Sequence, residues 1–236
     1  IFPRMYSTQA HHKKEYIKWS HFKGTPMRTR DNQGNATIIN KPTFSENLRF
    51  FFSYQVNWMY GRYFMWNFSG KQNDKQGHGN ILDGNWLSGV KIIDSERLGS
   101  QYNLPPSFTA NKAYNRFYMF PLLLGLIGFI FMAYRDPKNF TVVALLFFFT
   151  GLAIVIYLNQ YPMQPRERDY AYVGSFYAFA IWIGLGVYAL FDMALHLGKK
   201  VLIKVIGYPA VMGVVLYLFE MLLEKDHSFS YSILYL

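Results

Sequence analysis

Four apolar runs in the second half of the chain constrain its fold more than any other feature. They cover residues 118–134, 140–159, 173–195 and 201–223, each about 17 to 23 residues long. A helix of ~20 residues crosses the ~30 Å hydrocarbon core of a bilayer, because each residue adds about 1.5 Å along the helix axis. The connections between the runs are short, which favours antiparallel neighbours. The sequence therefore predicts an all-α fold, a multi-pass transmembrane helical bundle.

Small residues in the third run are the second packing signal. They allow two helix backbones to approach closely, and such close approach is a common way for membrane helices to associate. The set comprises Gly174, Ser175, Ala178, Ala180, Gly184 and Gly186.

The positive charge of the chain lies almost entirely in its first half. Residues 1–118 carry 16 Lys and Arg against 7 Asp and Glu, and residues 119–236 carry 8 against 7, so the halves contribute +9 and +1 to the total of +10. The basic residues are scattered rather than clustered on one helix, so we expect no nucleic-acid partner. Basic flanks beside apolar spans are typical of membrane proteins. The absence of cysteine excludes disulfides, zinc thiolate sites and thiol nucleophiles.

Residues 1–43 are polar and rich in turn-forming residues, which predicts exposed loop. The adjacent His11 and His12 lack the i, i+4 spacing that places two imidazoles on one helix face, which favours a solvated loop over a metal site. We expect neither a metal nor a cofactor. The chain begins Ile-Phe-Pro-Arg, without an initiator Met or a signal-peptide pattern, which indicates an internal fragment of a longer protein.

A capping box formed by Thr43 and Glu46 predicts a helix from residue 44 to about Ser69, just before Gly70. The helix is rich in aromatic rings, which is typical of an amphipathic helix at headgroup level or packed inside a membrane protein. Residues 70–117 form a long loop that we expect to be extracytoplasmic and to cover a site. His78 in this loop is either an acid–base residue or a surface residue.

The connector between the second and third runs, residues 160–172, contains four consecutive charged residues at a predicted membrane edge. Arg166 and Arg168 are candidates to bind a lipid phosphate, because the guanidinium fork matches phosphate oxygens and keeps its charge. Their i, i+2 spacing places both on one side of an extended stretch, and Pro165 favours an extended entry. The alternative is that Glu167 and Asp169 neutralise the arginines in a structural network.

Other residues are candidates for supporting roles at the same site. Tyr170 and Tyr172 follow the charged residues directly, and alternative phosphate ligands are Arg49, Arg62 and Arg97. Asp192 and Glu220 lie near the ends of the third and fourth runs, where acidic residues can mark an ion pathway or reach the headgroups.

Basic residues beside the short connections indicate the orientation of the spans. Five lie on one side and three on the other, where the smaller group contains Arg166 and Arg168. Because cytoplasmic loops carry more Lys and Arg, residues 1–117 and 160–172 are expected on the non-cytoplasmic side.

Residues 48–60, 62–67 and 160–186 resemble the DUF2723 family of large bacterial membrane proteins. That family is assigned to glycosyltransferases of the C-type fold and is similar to protein O-mannosyltransferases. The resemblance implies transfer of a sugar from a polyprenyl-phosphate carrier to a protein or glycan acceptor, on the periplasmic side of the bacterial inner membrane. It also implies that the catalytic acidic residue lies upstream, so no catalytic residue is expected in this fragment.

The predicted organisation is therefore a polar loop segment at 1–43, an aromatic amphipathic or membrane-associated helix at 44–69, an extracytoplasmic loop at 70–117, four transmembrane helices at 118–225 and an irregular tail at 226–236. Inverting sugar transfer needs a positive group to stabilise the departing lipid phosphate, a role that suits Arg166 and Arg168. The alternatives are a membrane transporter segment and a non-catalytic membrane scaffold subunit.

Overall fold

The computed structural model describes residues 2–30 and 34–196, and these are mostly helical. The chain divides into two compact units, Ile1–Gly186 and Val187–Leu236. Within the described part of the chain, two small two-stranded sheets accompany the helices. The prediction of an all-α fold is therefore correct in its helical character but missed these strands.

The segment 1–43 is not the loop that its polar composition predicts. Helix α1 runs over Ala10–Ser20, and strands β1 (Thr25–Arg30) and β2 (Ala36–Lys41) form an antiparallel hairpin. On α1, His12, Tyr16 and Ser20 are buried at i, i+4 and i+8, which is one helix face. This buried face is short and partly polar, so composition alone does not reveal it.

The predicted aromatic helix is confirmed. It is continuous over residues 44–68 and consists of α2 (Phe44–Phe50), a π-helical segment (Phe51–Gly61) and α3 (Arg62–Phe68). The capping box at its start is present, since the Glu46 backbone N–H donates to Thr43 Oγ1 at 3.3 Å and the Thr43 N–H donates to Glu46 Oε2 at 2.8 Å. The π-helical segment changes the rotation per residue, so rings are buried on several sides of this helix.

The long loop after this helix contains short structured elements. Strands β3 (Gly70–Lys71) and β4 (Asn115–Arg116) pair antiparallel, and helices α4 (Lys91–Leu98) and α5 (Pro106–Thr109) lie between them. The Leu87 N–H donates to the Gly70 carbonyl at 2.9 Å, and the Phe117 N–H donates to the Ser69 carbonyl at 2.7 Å. The first bond ties the middle of the loop to its start, and the second ties the end of the loop to the residue that follows the aromatic helix.

The apolar runs form helices α6 (Phe120–Arg135), α7 (Pro137–Thr150), α8 (Leu152–Leu158) and α9 (Val173–His196). Two helical stretches, Pro137–Leu158 and Asp169–His196, are long and apolar enough to cross a membrane, whereas Phe120–Arg135 is shorter. Only 11% of the most apolar part of the first stretch and 22% of that of the second are buried within the protein. The predicted fourth span, with Glu220, and the tail 226–236 lie outside the described residues.

Helices α6 and α9 pack with their backbones in close contact. A Cβ atom added at Gly128 would clash with the Trp182 carbonyl oxygen, and one added at Gly186 would clash with the Leu124 carbonyl oxygen. Gly184 has open space instead. The prediction that small residues permit close approach is therefore confirmed for Gly186 but not for Gly184.

Aromatic rings join the aromatic helix to the apolar helices. The Phe64 ring lies 4.7 Å from that of Phe179 and 6.1 Å from that of Phe147, and Tyr60 lies 6.3 Å from Phe176. Tyr60 and Phe179 are buried. The second half of the aromatic helix therefore packs inward against α7 and α9.

Candidate functional site

The connector begins where α8 ends and returns the chain to α9. The Gln55 amide, on the π-helical segment, donates to Asn159 Oδ1 at 3.1 Å and to the Gln160 carbonyl at 2.8 Å. The Asn159 amide donates to the Arg4 carbonyl at 3.1 Å. Two distant parts of the sequence, at Arg4 and Gln55, therefore fix the start of the connector.

A nearly buried ion pair holds the centre of the connector. Arg62, only 2% exposed, donates from Nη1 to Glu167 Oε1 at 3.1 Å and from Nη2 to Glu167 Oε2 at 2.8 Å. This bidentate geometry makes the contact strong and directional. The two residues are 105 positions apart in the sequence, so the pair connects the aromatic helix to the connector.

Two further donors complete the environment of Glu167. Its carboxylate accepts hydrogen bonds from the Gly77 N–H at 2.9 Å and from the Tyr63 hydroxyl. Burial favours the neutral carboxyl, but the hydrogen bonds and charge of Arg62, with the Gly77 and Tyr63 donors, outweigh it, so the pKa of Glu167 lies below its ordinary value. Burial raises the pKa of Tyr63, which keeps its hydroxyl proton available as a donor.

Three rings surround the Arg62 guanidinium. Its central carbon lies 4.3 Å from the ring centroid of Trp58, 4.4 Å from Tyr63 and 4.6 Å from Trp66. The aromatic faces stabilise a cation that has lost its water. Nη1 also donates to the Gly84 carbonyl at 2.8 Å, so the same side chain anchors the loop after β3.

Arg166 and Arg168 have different environments. Arg166 is exposed, and its Nη2 donates to the Tyr170 hydroxyl at 3.1 Å. Arg168 is half-buried; its backbone N–H donates to the Tyr63 hydroxyl at 3.1 Å, whereas its side-chain Nε is buried without a partner in the described part of the chain. Neither guanidinium forms an ion pair with a carboxylate of the described residues.

The backbone around these arginines is bent rather than extended. Bends occupy residues 162–163 and 165–166, Met163 has a positive φ of 60°, and a short 3₁₀ turn at Asp169–Tyr172 leads into α9. The prediction of an extended stretch is wrong here. Pro162 and Pro165 fix two φ angles within a segment that reverses direction, so strand-like alternation is not maintained.

The ion pair decides how charge is distributed in the connector. Glu167 faces Arg62, 105 residues away, and not its neighbours Arg166 and Arg168. Of the two carboxylates expected to neutralise the arginines, Glu167 is thus committed to Arg62, and Asp169, in the first turn of the 3₁₀ segment, forms no ion pair among the described residues. Once Glu167 is paired with Arg62, the other charged residues of the connector, Arg166, Arg168 and Asp169, carry a net charge of +1.

The other predicted site residues are dispersed. Arg49 is exposed and donates to the Ser20 carbonyl at 3.2 Å, whereas Arg97 stacks 3.5 Å from the Trp86 ring centroid and pairs with Asp94 at 3.6 Å. His78 accepts at its backbone carbonyl from Lys18 Nζ at 2.9 Å. These contacts of Arg49, Arg97 and His78 lie outside the connector.

The tyrosines of the connector also differ from each other. Tyr170 is exposed beside Arg166, whereas Tyr172 is buried and its ring lies 5.3 Å from that of Tyr60. Tyr172 therefore belongs to the aromatic core.

The histidine pair is not in a solvated loop, contrary to the prediction. His12 is 4% exposed, its Nδ1 lies 2.7 Å from Ser7 Oγ, and its ring lies 4.5 Å from that of Tyr161 in the connector. Burial, followed by the neighbouring His11, lowers the pKa of His12. Among residues 2–30 and 34–196, no group of three or more His, Asp or Glu is placed to hold a metal ion.

The sequence did not indicate Tyr63 and Gly77 as hydrogen-bond donors to Glu167. The sequence indicated Arg62 only as an alternative phosphate ligand. Its side chain is 2% exposed and hydrogen-bonded to Gly84 and Glu167, so it is not accessible to a phosphate. The available signal was the placement of Arg62 between Trp58 and Trp66, four residues away on each side of the same helix, because these positions share a face.

The comparisons with known proteins correct the proposed family. A model described as a family of unknown function (DUF8416) matches residues 1–52. This finding overturns the identification with the DUF2723 family, which was based on residues 48–67 and 160–186. Aromatic and small residues recur in membrane helices of many kinds, so similarity in such segments is a weak guide to ancestry. No curated protein and no solved structure matches the chain.

Proposed function

We propose that this chain is part of a membrane-embedded transferase and that its connector binds the phosphate of a polyprenyl-phosphate-linked sugar donor. The observation that carries the proposal is the pairing of Glu167 with Arg62, which leaves Arg166 and Arg168 without a carboxylate partner among the described residues. These cations lie next to α9, one of the two stretches that can cross a membrane.

The chemistry of a lipid-phosphate leaving group suits this arrangement. Negative charge grows on the phosphate as the sugar departs, and a fixed guanidinium stabilises that charge more in the transition state than in the ground state. Arg166 is accessible for a first contact, and the buried Nε of Arg168 offers a donor that no described residue occupies. The acceptor in this proposal is a protein or glycan hydroxyl, and the base that activates it is not assigned to this chain.

The orientation is part of the same proposal. We place residues 1–117 and 160–172 on the periplasmic side of a bacterial inner membrane, with the remaining surface of the apolar helices in lipid. Contacts of Gln55, Arg62 and Arg4 with residues 159–167 support a common side for these two regions.

The test compares two arginine pairs with the same spacing. The Arg166→Ala/Arg168→Ala variant removes the proposed phosphate ligands, and the Arg28→Ala/Arg30→Ala variant removes two exposed arginines from β1 with the same change in net charge. The full chain is reconstituted in zwitterionic nanodiscs, and binding of a polyprenyl phosphate and transfer from the phosphate-linked sugar are measured. We expect at least a ~10-fold weaker binding for the connector variant, because a charge-assisted hydrogen bond contributes roughly 1.5–3 kcal/mol.

Equal binding by both double variants and the original chain contradicts the phosphate site. Binding without sugar transfer to any acceptor, in a preparation that also contains the part of the protein that supplies the base, favours the scaffold alternative. Flux of an ion that depends on Asp192, without sugar transfer, favours the transporter alternative.

A further inference from the structure

An exposed apolar patch occurs at the start of helix α4, in the polar half of the chain. Ile92 is 75% exposed, and Val90 and Ile93 are each 42% exposed. Branched aliphatic residues of this size are costly to leave in water when they lie side by side. We call Val90, Ile92 and Ile93 the α4 patch.

The protein holds the α4 patch in a fixed position. The buried Asp94 carboxylate accepts the backbone N–H of Ser88 at 2.8 Å and that of Gly89 at 3.1 Å. Leu87, immediately before them, is 1% exposed and bonded to β3. The turn that leads into α4 is therefore held by the Asp94 carboxylate and by the backbone hydrogen bond of Leu87 to β3. These bonds fix the position of the patch.

The patch lies close to the start of helix α6. Gly89 has a φ of 84°, and a Cβ atom there would come within 2.9 Å of the Tyr118 ring and 3.1 Å of its Cα. Tyr118 is two residues before α6 and is 47% exposed, and Phe120 at the start of α6 is 52% exposed. Since Ile92 is three residues from Gly89, it lies within about 10 Å of it along the chain.

The α4 patch is therefore joined to the start of α6 by the contact between Gly89 and Tyr118. Exposed apolar side chains lie on both sides of that contact, at Ile92 in the patch and at Tyr118 and Phe120 at the start of α6. Lys91 lies within the patch, with its Nζ 5.2 Å from the ring centroid of Tyr102. A cation and a tyrosine beside aliphatic residues match the composition of a segment at headgroup level.

We propose that the α4 patch inserts into the headgroup region of the same bilayer that surrounds α6 to α9, so that α4 is a lipid anchor of the polar half. This inference rests on the proposed membrane location. Its occupant is lipid, because the exposed Lys91 beside the patch is placed to contact headgroup phosphates.

The chain has no cysteine, so a single thiol can be placed at will. We suggest three single-cysteine variants of the full chain, each labelled with an environment-sensitive fluorophore. The labelled proteins are then reconstituted in vesicles that contain spin-labelled lipid, which quenches the fluorophore on contact. Ile92→Cys probes the patch. Ile38→Cys is the matched control, an isoleucine 69% exposed on β2. Leu145→Cys, 49% exposed on α7, reports on the proposed span.

We expect a spin label at the headgroup to quench the probe at position 92 at least twice as strongly as the probe at position 38, and a spin label deep in the acyl chain to quench position 145 most. Equal quenching at 92 and 38, with strong quenching at 145, overturns the lipid anchor and leaves the membrane proposal intact. Weak quenching at all three positions overturns the membrane location itself. A blue-shifted but unquenched probe at 92 means that protein covers the patch, which also overturns the anchor.

Discussion

The polar half of the molecule and its apolar helices are held together by different forces. In the polar half, residues 2–30, 34–118 and 159–168, the central contact is a charged side chain enclosed by rings and bonded to Glu167. In the apolar helices, the closest contact is between backbones at Gly128 and Gly186. The first depends on charge and hydrogen bonding, whereas the second depends on the absence of a side chain.

This difference follows from the amount of apolar surface that each region can bury. Lipid-facing helices gain little from hiding one apolar side chain against another, so close packing decides how they associate. The polar half has few aliphatic residues, and its core is formed by rings that surround polar groups. We therefore expect the two regions to respond to different perturbations.

The largest effect is expected from breaking the central ion pair. Arg62→Met leaves the Glu167 carboxylate buried without its main partner, so we expect a loss of ~3–5 kcal/mol in the free energy of unfolding. Thermal unfolding in detergent, followed by tryptophan fluorescence, measures this loss. Arg49→Met is the matched control on the same helix, because Arg49 is exposed and forms a single recorded hydrogen bond.

A double variant distinguishes charge from packing at this position. Arg62→Met/Glu167→Leu removes both charges, so it should be less destabilised than Arg62→Met alone. If Arg62→Met/Glu167→Leu is less stable than Arg62→Met, the unpaired charge of Glu167 is not what destabilises the single variant.

An intermediate effect is expected from adding one methyl group between α6 and α9. Gly128→Ala forces the two backbones apart, which we expect to cost about 1–3 kcal/mol. Gly184→Ala meets open space on the same helix pair and should be neutral or stabilising by up to about 1 kcal/mol, because alanine favours helix. The expected result is a lower unfolding temperature for Gly128→Ala and no decrease for Gly184→Ala, and equal destabilisation contradicts the close contact.

The smallest effect is expected from the carboxylate at the start of the aromatic helix. Burial opposes ionisation of Glu46, but the N–H groups of Lys23, Thr43 and Gly24 lower its pKa from 4.5 to about 2. A lowered pKa in the folded state means that the stabilisation is present above pH 4.5 and is lost as the pH falls towards 2. Glu46→Gln should cost about 1 kcal/mol at neutral pH.

The pH dependence of unfolding checks this expectation and sharpens the regional comparison. The difference between Glu46→Gln and the original chain should shrink between pH 4.5 and about 2. Glu96→Gln, at an exposed carboxylate of α4, is the control and should change the free energy of unfolding by no more than about 0.5 kcal/mol at neutral pH. A Glu46→Gln deficit that is constant across this range contradicts the assigned role of the charge.

Local signals predicted the elements of this chain well where a short pattern carries the information. The capping box of Thr43 and Glu46 identified the start of the aromatic helix, and three apolar runs correspond to α6, to α7 with α8, and to α9. The hairpin was missed because both of its strands are mostly exposed and show no alternation of buried apolar residues. Helix α1 was missed because its buried face contacts distant rings through Tyr16 and His12. Such partners leave no periodic pattern in a polar segment.

The sequence by itself determined where the aromatic helix begins, where the described apolar helices lie, and that the connector carries four charges. Which charges neutralise each other was decided only by the tertiary structure. The sequence suggested ion pairs of Glu167 with its neighbours Arg166 and Arg168. The fold instead brings Arg62 to Glu167 from 105 positions away and surrounds the Arg62 guanidinium with aromatic rings. Removal from water strengthens one specific pair far more than proximity in sequence does, and a sequence records proximity along the chain but not burial.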